Sequence, residues 1–398
     1  MVRGATVEKY KATTVEKGIR QIAPSRWEVR VYAGRHPDTG AIRHVSRTTD
    51  AGIKAARTLR AKLTTEVAAG KHGAGTSGTF GALLDAWLRD GKQGRAETTM
   101  HGYRIKIETV IRPALGSIPL DKLSTLDLDR FYRKLLDEGT SPAMVMHHHR
   151  VISAALRQGE KWGMVAASPA RNASPPRVPA KPMVTPPPER VRALIDLAAA
   201  SRAPEMATII TAAALTGERR GELCGLRWSD VDWAGSAITV EQALWQVGTR
   251  TGVKDPKSHQ VRRIEMDEPA MAVLRGRWVR ASDAASLADV TIAPDAYVFS
   301  NSVDCSDPIR PDSVTQAFRR LCQRAQDADP SGEPWPYRFH DLRHYTATEL
   351  FRQGHNPRTV ADRLGHADPA LTLRVYTHDT KDQAQAAAAS LSAGLLPG

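Results

Sequence analysis

Cysteine is nearly absent from this 398-residue chain: Cys224, Cys305 and Cys322 stand far apart, with no CxxC spacing. An odd, scattered set excludes a disulfide scaffold and a cysteine-based zinc site, and fits a reducing cytoplasm. No apolar run approaches the roughly 20 residues of a membrane span. The opening MVRGATVEKYKATTVEK is charged and lacks the apolar stretch of a secretory signal. There is no GxxxxGK(S/T) phosphate loop, so no ATP-driven step is expected. Nor is there an Asp/Glu cluster of the kind that holds paired Mg²⁺. No cofactor and no metal are expected, and His147-His148-His149 does not alter this, since consecutive helical residues point in different directions.

What the chain has in excess is positive charge, +13 overall. A basic surface suits a polyanion, because neutralising phosphates releases condensed counterions. The excess is uneven: residues 1–70 carry 14 Lys/Arg against 6 Asp/Glu. At this length two or three domains are expected.

The spacing supports three. Trp27 to Tyr32 alternates bulky apolar and charged residues, Pro37 to Gly40 is turn chemistry, and Ile42 to Thr48 resumes the alternation. A helix is predicted from about Ile53 to Ala69, giving a small three-stranded sheet with one helix over residues 1–70. A Gly-rich linker at 71–78 follows. From Thr79, placed to cap, Phe80, Leu83, Leu84, Trp87 and Leu88 recur at helical spacing. Further helices near 97–112, 125–138 and 141–161 make residues 79–175 a helical domain. The prolines between Pro175 and Pro188 forbid helix and mark a second linker. The remainder, 185–398, is predicted to be mostly helical, with one β-hairpin near 238–266. The fold class is therefore multidomain and mainly α with small β elements.

Four groups in the last domain carry chemistry. They are Thr216-Gly217-Glu218-Arg219-Arg220-Gly221-Glu222-Leu223; Pro256-Lys257-Ser258 with Arg262-Arg263; His340-Asp341-Leu342-Arg343-His344; and Leu364-Gly365-His366 with Tyr376 ten residues on. Metal-free phosphodiester cleavage needs always-protonated, planar donors for the non-bridging oxygens, a nucleophile, and acid/base groups for two protons. Taken singly, each residue has an ordinary reading. Arg219 beside Glu222 is a surface ion pair, Lys257 a solvated hairpin lysine, His340 and His366 loop or helix-end histidines, and Tyr376 packing. Only their order and spacing jointly, across about 160 residues, point to a site.

That joint pattern resembles the tyrosine recombinase, or phage integrase, family. Its T-G-x-R-x-x-E-L box matches at Thr216 to Leu223, its hairpin lysine at Lys257, its H-x-L-R-H box at His340 and Arg343, and L-G-H at His366, with Tyr376 following. The resemblance implies that Tyr376 attacks the scissile phosphate to give a 3′-phosphotyrosyl bond. Arg219 and Arg343 would hold the non-bridging oxygens, helped by His366. Lys257 would protonate the leaving 5′-oxygen, and His340 would help move the tyrosine proton. Glu222 would be the structural partner of Arg219. Glu218 departs from the family, which usually has an apolar residue there; either the outer face of the helix tolerates it, or it tempers the local positive potential.

By the same resemblance, residues 79–175 are a core-binding domain and residues 1–70 an arm-binding sheet, with Arg30, Arg43 and Arg47 as its DNA contacts. The implied partners are double-stranded DNA at core and arm sites, further copies of the chain in a tetramer, and an excisionase or host DNA-bending protein. No membrane partner is implied, and the element served is a phage or another mobile element. Two rivals stand beside this reading. A type IB topoisomerase shares the chemistry but acts as a monomer, and would relax DNA lacking any attachment site. A DNA-binding protein without catalysis would account for the half helix-turn-helix at Pro357 to His366, but has no use for Arg219, Lys257, Arg343 and Tyr376 together.

Overall fold

The computed structural model describes residues 12–35, 42–68, 78–91, 94–179, 184–256, 261–330 and 332–365. The chain divides into two compact units, Met1–Ala180 and Lys181–Gly398.

In the first unit, β1 (Thr13–Glu16), β2 (Ile19–Ala23), β3 (Arg26–Arg35) and β4 (Ile42–Thr49) form one antiparallel sheet in that order. The alternation decides its faces. Val29, with Trp27 and Val31 beside it, packs with Ile19 against Ala56 and Leu63 of helix α1 (Gly52–Ala68), while Arg30 and Tyr32 are exposed. The sheet has four strands rather than the expected three. The added strand is the polar, mostly exposed run Thr13-Thr14-Val15-Glu16, paired with β2 from Thr13 opposite Gln21. It carries no alternation to read. Gly18, at φ +81°, makes the tight turn between them, and a Cβ there would come within 2.6 Å of the Arg30 carbonyl.

The same unit holds α2 (Phe80–Asp90), α3 (Glu97–Lys106), a π-helical turn at Ile107–Ile111, α4 (Arg112–Leu115), α5 (Thr125–Asp137) and α6 (Pro142–Lys161). Their starts follow the sequence closely. Thr79 accepts from the Ala82 amide at 3.3 Å, Ser124 and Asp127 form a capping box, and Ser141 caps α6 with Pro142 at its first turn. Phe80, Leu84, Trp87, Ile111, Leu128 and Ile152 are buried in one core. Truncating such a residue to Ala costs about 2–5 kcal/mol. Of the three consecutive histidines, His148 is buried and His149 meets the Tyr132 hydroxyl at 2.9 Å.

The second unit comprises α7 (Pro188–Ala199), α8 (Glu205–Thr216), α9 (Arg220–Gly225), β5 (Val231–Asp232), β6 (Ala237–Val240), β7 (Ala243–Val247), β8 (Arg250–Lys254), β9 (Arg262–Glu265), α10 (Glu268–Leu287), α11 (Pro311–Ala328), α12 (Asp341–Arg352) and α13 (Pro357–Leu364). Helix α8 has no charged residue after Glu205 and is correspondingly buried, Ile209, Ile210 and Ala213 lying in the core with Leu223, Phe318 and Leu342. The single expected hairpin is two nested pairings. β6 runs antiparallel to β9, with Val240 opposite Arg262, and the β7–β8 hairpin is inserted between them in sequence. Residues 257–260 fall between β8 and β9, outside the described residues.

Candidate active site

Two helices end in left-handed glycines, and the site is built between them. Helix α8 stops at Gly217, φ +67°, and α13 stops at Gly365, φ +66°. Only glycine takes this conformation without strain, and it turns the last carbonyls out of the helix axis. Arg219, just past Gly217, donates from Nη2 to the carbonyl of Gly365 at 2.9 Å. Arg343, on the first turn of α12, donates from Nη1 to the carbonyl of Gly217 at 2.7 Å and from Nη2 to that of Leu364. The two arginines are thus braced on one turn, Arg219 on the carbonyl of Gly365 and Arg343 on that of Leu364, and Arg343 also holds Gly217, two residues before Arg219.

Glu222 fixes Arg219. It sits three residues on, at the third position of α9. Its carboxylate accepts the Arg219 backbone amide at 3.0 Å and the Arg219 Nη1 at 2.7 Å. Its other charged partner is Arg262 of β9, at 2.6 Å. The Glu222 side chain is fully buried. Burial works to raise its pKa, but the hydrogen bond and charge of Arg262, then the charge of Arg219, outweigh it and hold the carboxyl below its ordinary value. The surface ion pair that Arg219 and Glu222 suggest in isolation is in fact an interior one.

His340 stands at the N-terminal boundary of α12, open to solvent on one side. Its ring meets that of His344 edge-on at 5.1 Å. Partial desolvation, then the charges of His344 and Arg343, hold its pKa down at about 4, so the ring is neutral at pH 7. The neighbouring Asp341 is buried and accepts the Arg338 backbone amide at 2.7 Å, which locks the turn into α12.

Glu218 corrects the sequence reading. It does not lie on an outer face; it is 2% exposed, with one oxygen taking the Thr216 hydroxyl at 3.1 Å and the other without a partner among the described residues. Burial raises its pKa to about 7, Arg262 pulling it down and Glu222 pushing it up. The position follows an outward-turning glycine, and the chain then folds back into the core. Helical periodicity cannot reveal that.

Of the sequence-predicted catalytic residues, Arg219, His340 and Arg343 come together here. Lys257, His366 and Tyr376 lie outside the described residues. Sequence reasoning overlooked Arg262, treating it only as half of an arginine pair. The signal was present: Arg262 shares its strand face with buried Ile264, whereas Arg263 and Glu265 are exposed.

Of the three arginines expected to contact DNA in the sheet, Arg30 and Arg47 lie on opposite faces. Arg30 is exposed on the face away from α1, opposite Ser46. Arg47 is exposed opposite Val29, so it shares the helix-side face. Arg43 lies in β4, with its side chain outside the described residues.

Comparison with known proteins gives the family. Residues 187–383 match the Phage integrase family and residues 79–136 match its N-terminal SAM-like domain. The ICEBs1 integrase of Bacillus subtilis (strain 168) is 24% identical over 362 residues, 90% of this chain and 95% of that protein. The Tn1549 transposon integrase in complex with a circular intermediate DNA superposes with a TM-score of 0.67 at 20% identity, covering 79% of this chain and all of that one. A lambda integrase tetramer bound to a Holliday junction gives 0.57 at 18% identity, over 88% and 94% of the two chains. The two family matches, with the fold, define a recombinase of the integrase class. The chain belongs to the tyrosine recombinases of the phage integrase family, of the phage or mobile-element type.

Proposed function

We propose that this chain cleaves and rejoins double-stranded DNA at specific sites through a 3′-phosphotyrosyl bond to Tyr376, without metal or ATP. The observation that carries the reading is the bracing of Arg219 and Arg343 on one turn, which holds two guanidinium groups at one place with little freedom to relax. Donors fixed in advance stabilise developing negative charge without reorganising, and each is worth about 3–4 kcal/mol in comparable oxyanion sites. Tyr376 attacks the phosphorus and the 5′-oxygen leaves. The bond is conserved as a phosphotyrosine diester, so rejoining by the reverse attack needs no external energy. Lys257 gives the leaving oxygen its proton, neutral His340 helps take the tyrosine proton, and His366 adds a donor to the phosphate. Partition into an arm-binding sheet (1–70), a core-binding helical domain (79–175) and a catalytic domain (185–398) completes the reading. The chain would act as a tetramer on core and arm sites, with an excisionase or DNA-bending protein setting direction.

A nicked suicide substrate carrying the core site tests this. The wild type is expected to become covalently attached to a 3′-phosphate, in EDTA as well as in Mg²⁺. Tyr376→Phe is expected to bind the same DNA and form no adduct. Trapping by Tyr376→Phe, attachment to a 5′-phosphate, or an absolute need for a divalent ion would each refute the mechanism.

A further inference from the structure

We infer that Arg262 is a positioning residue for strand cleavage, acting on Arg219 through Glu222 and not through DNA. The inference rests on the function proposed above. Arg262 opens β9, five residues after Lys257 in sequence, and its side chain is only 6% exposed. Three observations fix what it does. Its Nη2 donates to Glu222 at 2.6 Å, the carboxylate that holds both the amide and the guanidinium of Arg219. Its Nε donates to the carbonyl of Arg363 at 3.1 Å, inside the last turn of α13. The turn at Gly365, whose carbonyl receives Arg219, closes directly on it: a Cβ on Gly365 would lie 3.0 Å from the Arg262 Cδ and 3.1 Å from its Nη1.

One planar group therefore joins the strand after the lysine loop, the carboxylate beneath Arg219 and the turn before His366. A lysine cannot make this junction. Its ammonium is a point charge that can pair with Glu222 but cannot offer two donors in one plane at the angle required. Arg262 is also costly as a stabilising device. Its Nη1 is buried without a partner among the described residues, and a buried ion pair often contributes little net stability compared with apolar packing. The expense is explained if the junction sets the direction in which Arg219 points. Displacement of a catalytic donor by about 1 Å suffices to lower a rate about a hundredfold.

The experiment compares single-turnover adduct formation, DNA affinity and melting temperature for wild type, Arg262→Lys, Arg262→Gln, Glu222→Gln, Arg219→Ala and the double variant Arg219→Ala/Arg262→Lys. Arg262→Lys keeps the charge and most of the volume. It is expected to melt near the wild type and to bind core DNA with little change, yet to form adduct about a hundredfold more slowly. Because Arg262 acts through Arg219, the double variant is expected to be no slower than Arg219→Ala. Wild-type cleavage by Arg262→Lys, or losses that multiply in the double variant, overturns the inference. So does a loss confined to DNA affinity. If Arg262→Lys is unfolded at assay temperature, Arg262→Gln decides: slow cleavage with intact binding supports the relay and normal cleavage overturns it, with Glu222→Gln, which loosens Arg219 directly, setting the size of loss expected. A wild type that forms no adduct at all removes the proposed mechanism itself, a separate outcome from an active wild type with an indifferent Arg262.

Discussion

Arg343 donates to the carbonyl of Gly217 at 2.7 Å, two residues before Arg219 in the chain. The relationship makes Gly217 part of the site although it has no side chain to contribute. Its φ of +67° and the contact its Cβ would make with Leu364 leave no room for alanine. Gly217→Ala is expected to cost about 1–2 kcal/mol from the left-handed backbone alone, with the clash adding to it. Adduct formation should fall further than stability does, because both arginines lose their shared frame. A variant that unfolds like the wild type in denaturant and cleaves at the same rate would show that the bracing is incidental.

Glu218 gives a pH prediction whose sign is fixed. Its folded pKa, about 7, lies above the ordinary 4.5, so folding favours the protonated form. Its effect on stability is nil below about pH 4.5, grows unfavourable as pH rises to 7 and is constant beyond, totalling roughly 3 kcal/mol. His340 works the other way: its lowered pKa contributes stability above its ordinary 6.5 that is lost as pH falls towards 4. The informative quantity is therefore the difference between Glu218→Gln and wild type. The variant is expected to be the more stable at pH 8 and equal at pH 4.5, measured by denaturant unfolding across that range. A difference that does not change with pH would contradict the burial assigned to Glu218.

If Lys257 supplies the proton to the leaving 5′-oxygen, a substrate with sulfur at that bridging position should restore cleavage to Lys257→Ala, since a thiolate leaves without protonation. Arg343→Ala should gain nothing from the same substrate, its role being charge stabilisation. Single-turnover rates on the paired oxygen and sulfur substrates make the comparison. Equal rescue of both variants, or of neither, counts against the lysine's role.

The basic sheet predicts a division of labour. Removing residues 1–70 leaves the other three hydrophobic clusters of the described residues untouched, the larger two running from Phe80 to Ala170 and from Val191 to Leu342, so the shortened chain should fold and cleave a short core-site substrate. Recombination between full attachment sites should drop sharply, because arm contacts raise effective concentration. The isolated sheet should bind flanking repeats with affinity that falls steeply with salt. A footprint of the isolated sheet on the core site alone would reject the arm-binding assignment. The structure also sharpens the mutagenesis: Arg30, with Tyr32 exposed on the same face, is the better target than Arg47.

Local rules carried much of the reading. Helix starts at Thr79, Ser124 and Ser141 were legible because a cap needs only a side-chain oxygen and an amide three residues away. The buried side of β3 follows from strict alternation, and the order of the four motifs assigns Arg219, His340 and Arg343 to one site. The polar strand Thr13–Glu16 was invisible for the opposite reason: among the described residues it pairs with β2 alone, and pairing leaves no mark on a sequence without an apolar face.

What the tertiary structure alone decided is which charges meet in the interior. Nothing near Glu218 in the chain indicates that α8, after Gly217, returns it to the interior. Nothing near Arg262 indicates that Glu222, 40 residues earlier, waits beneath it. Hydrophobic pattern and capping are local, so sequence determines them; an interior ion pair exists only where three separate elements exclude water together. The chain thus named by itself the groups proposed to perform the chemistry. The packing of α9, β9 and α13 decided which charge lies between them and how firmly Arg219 is held.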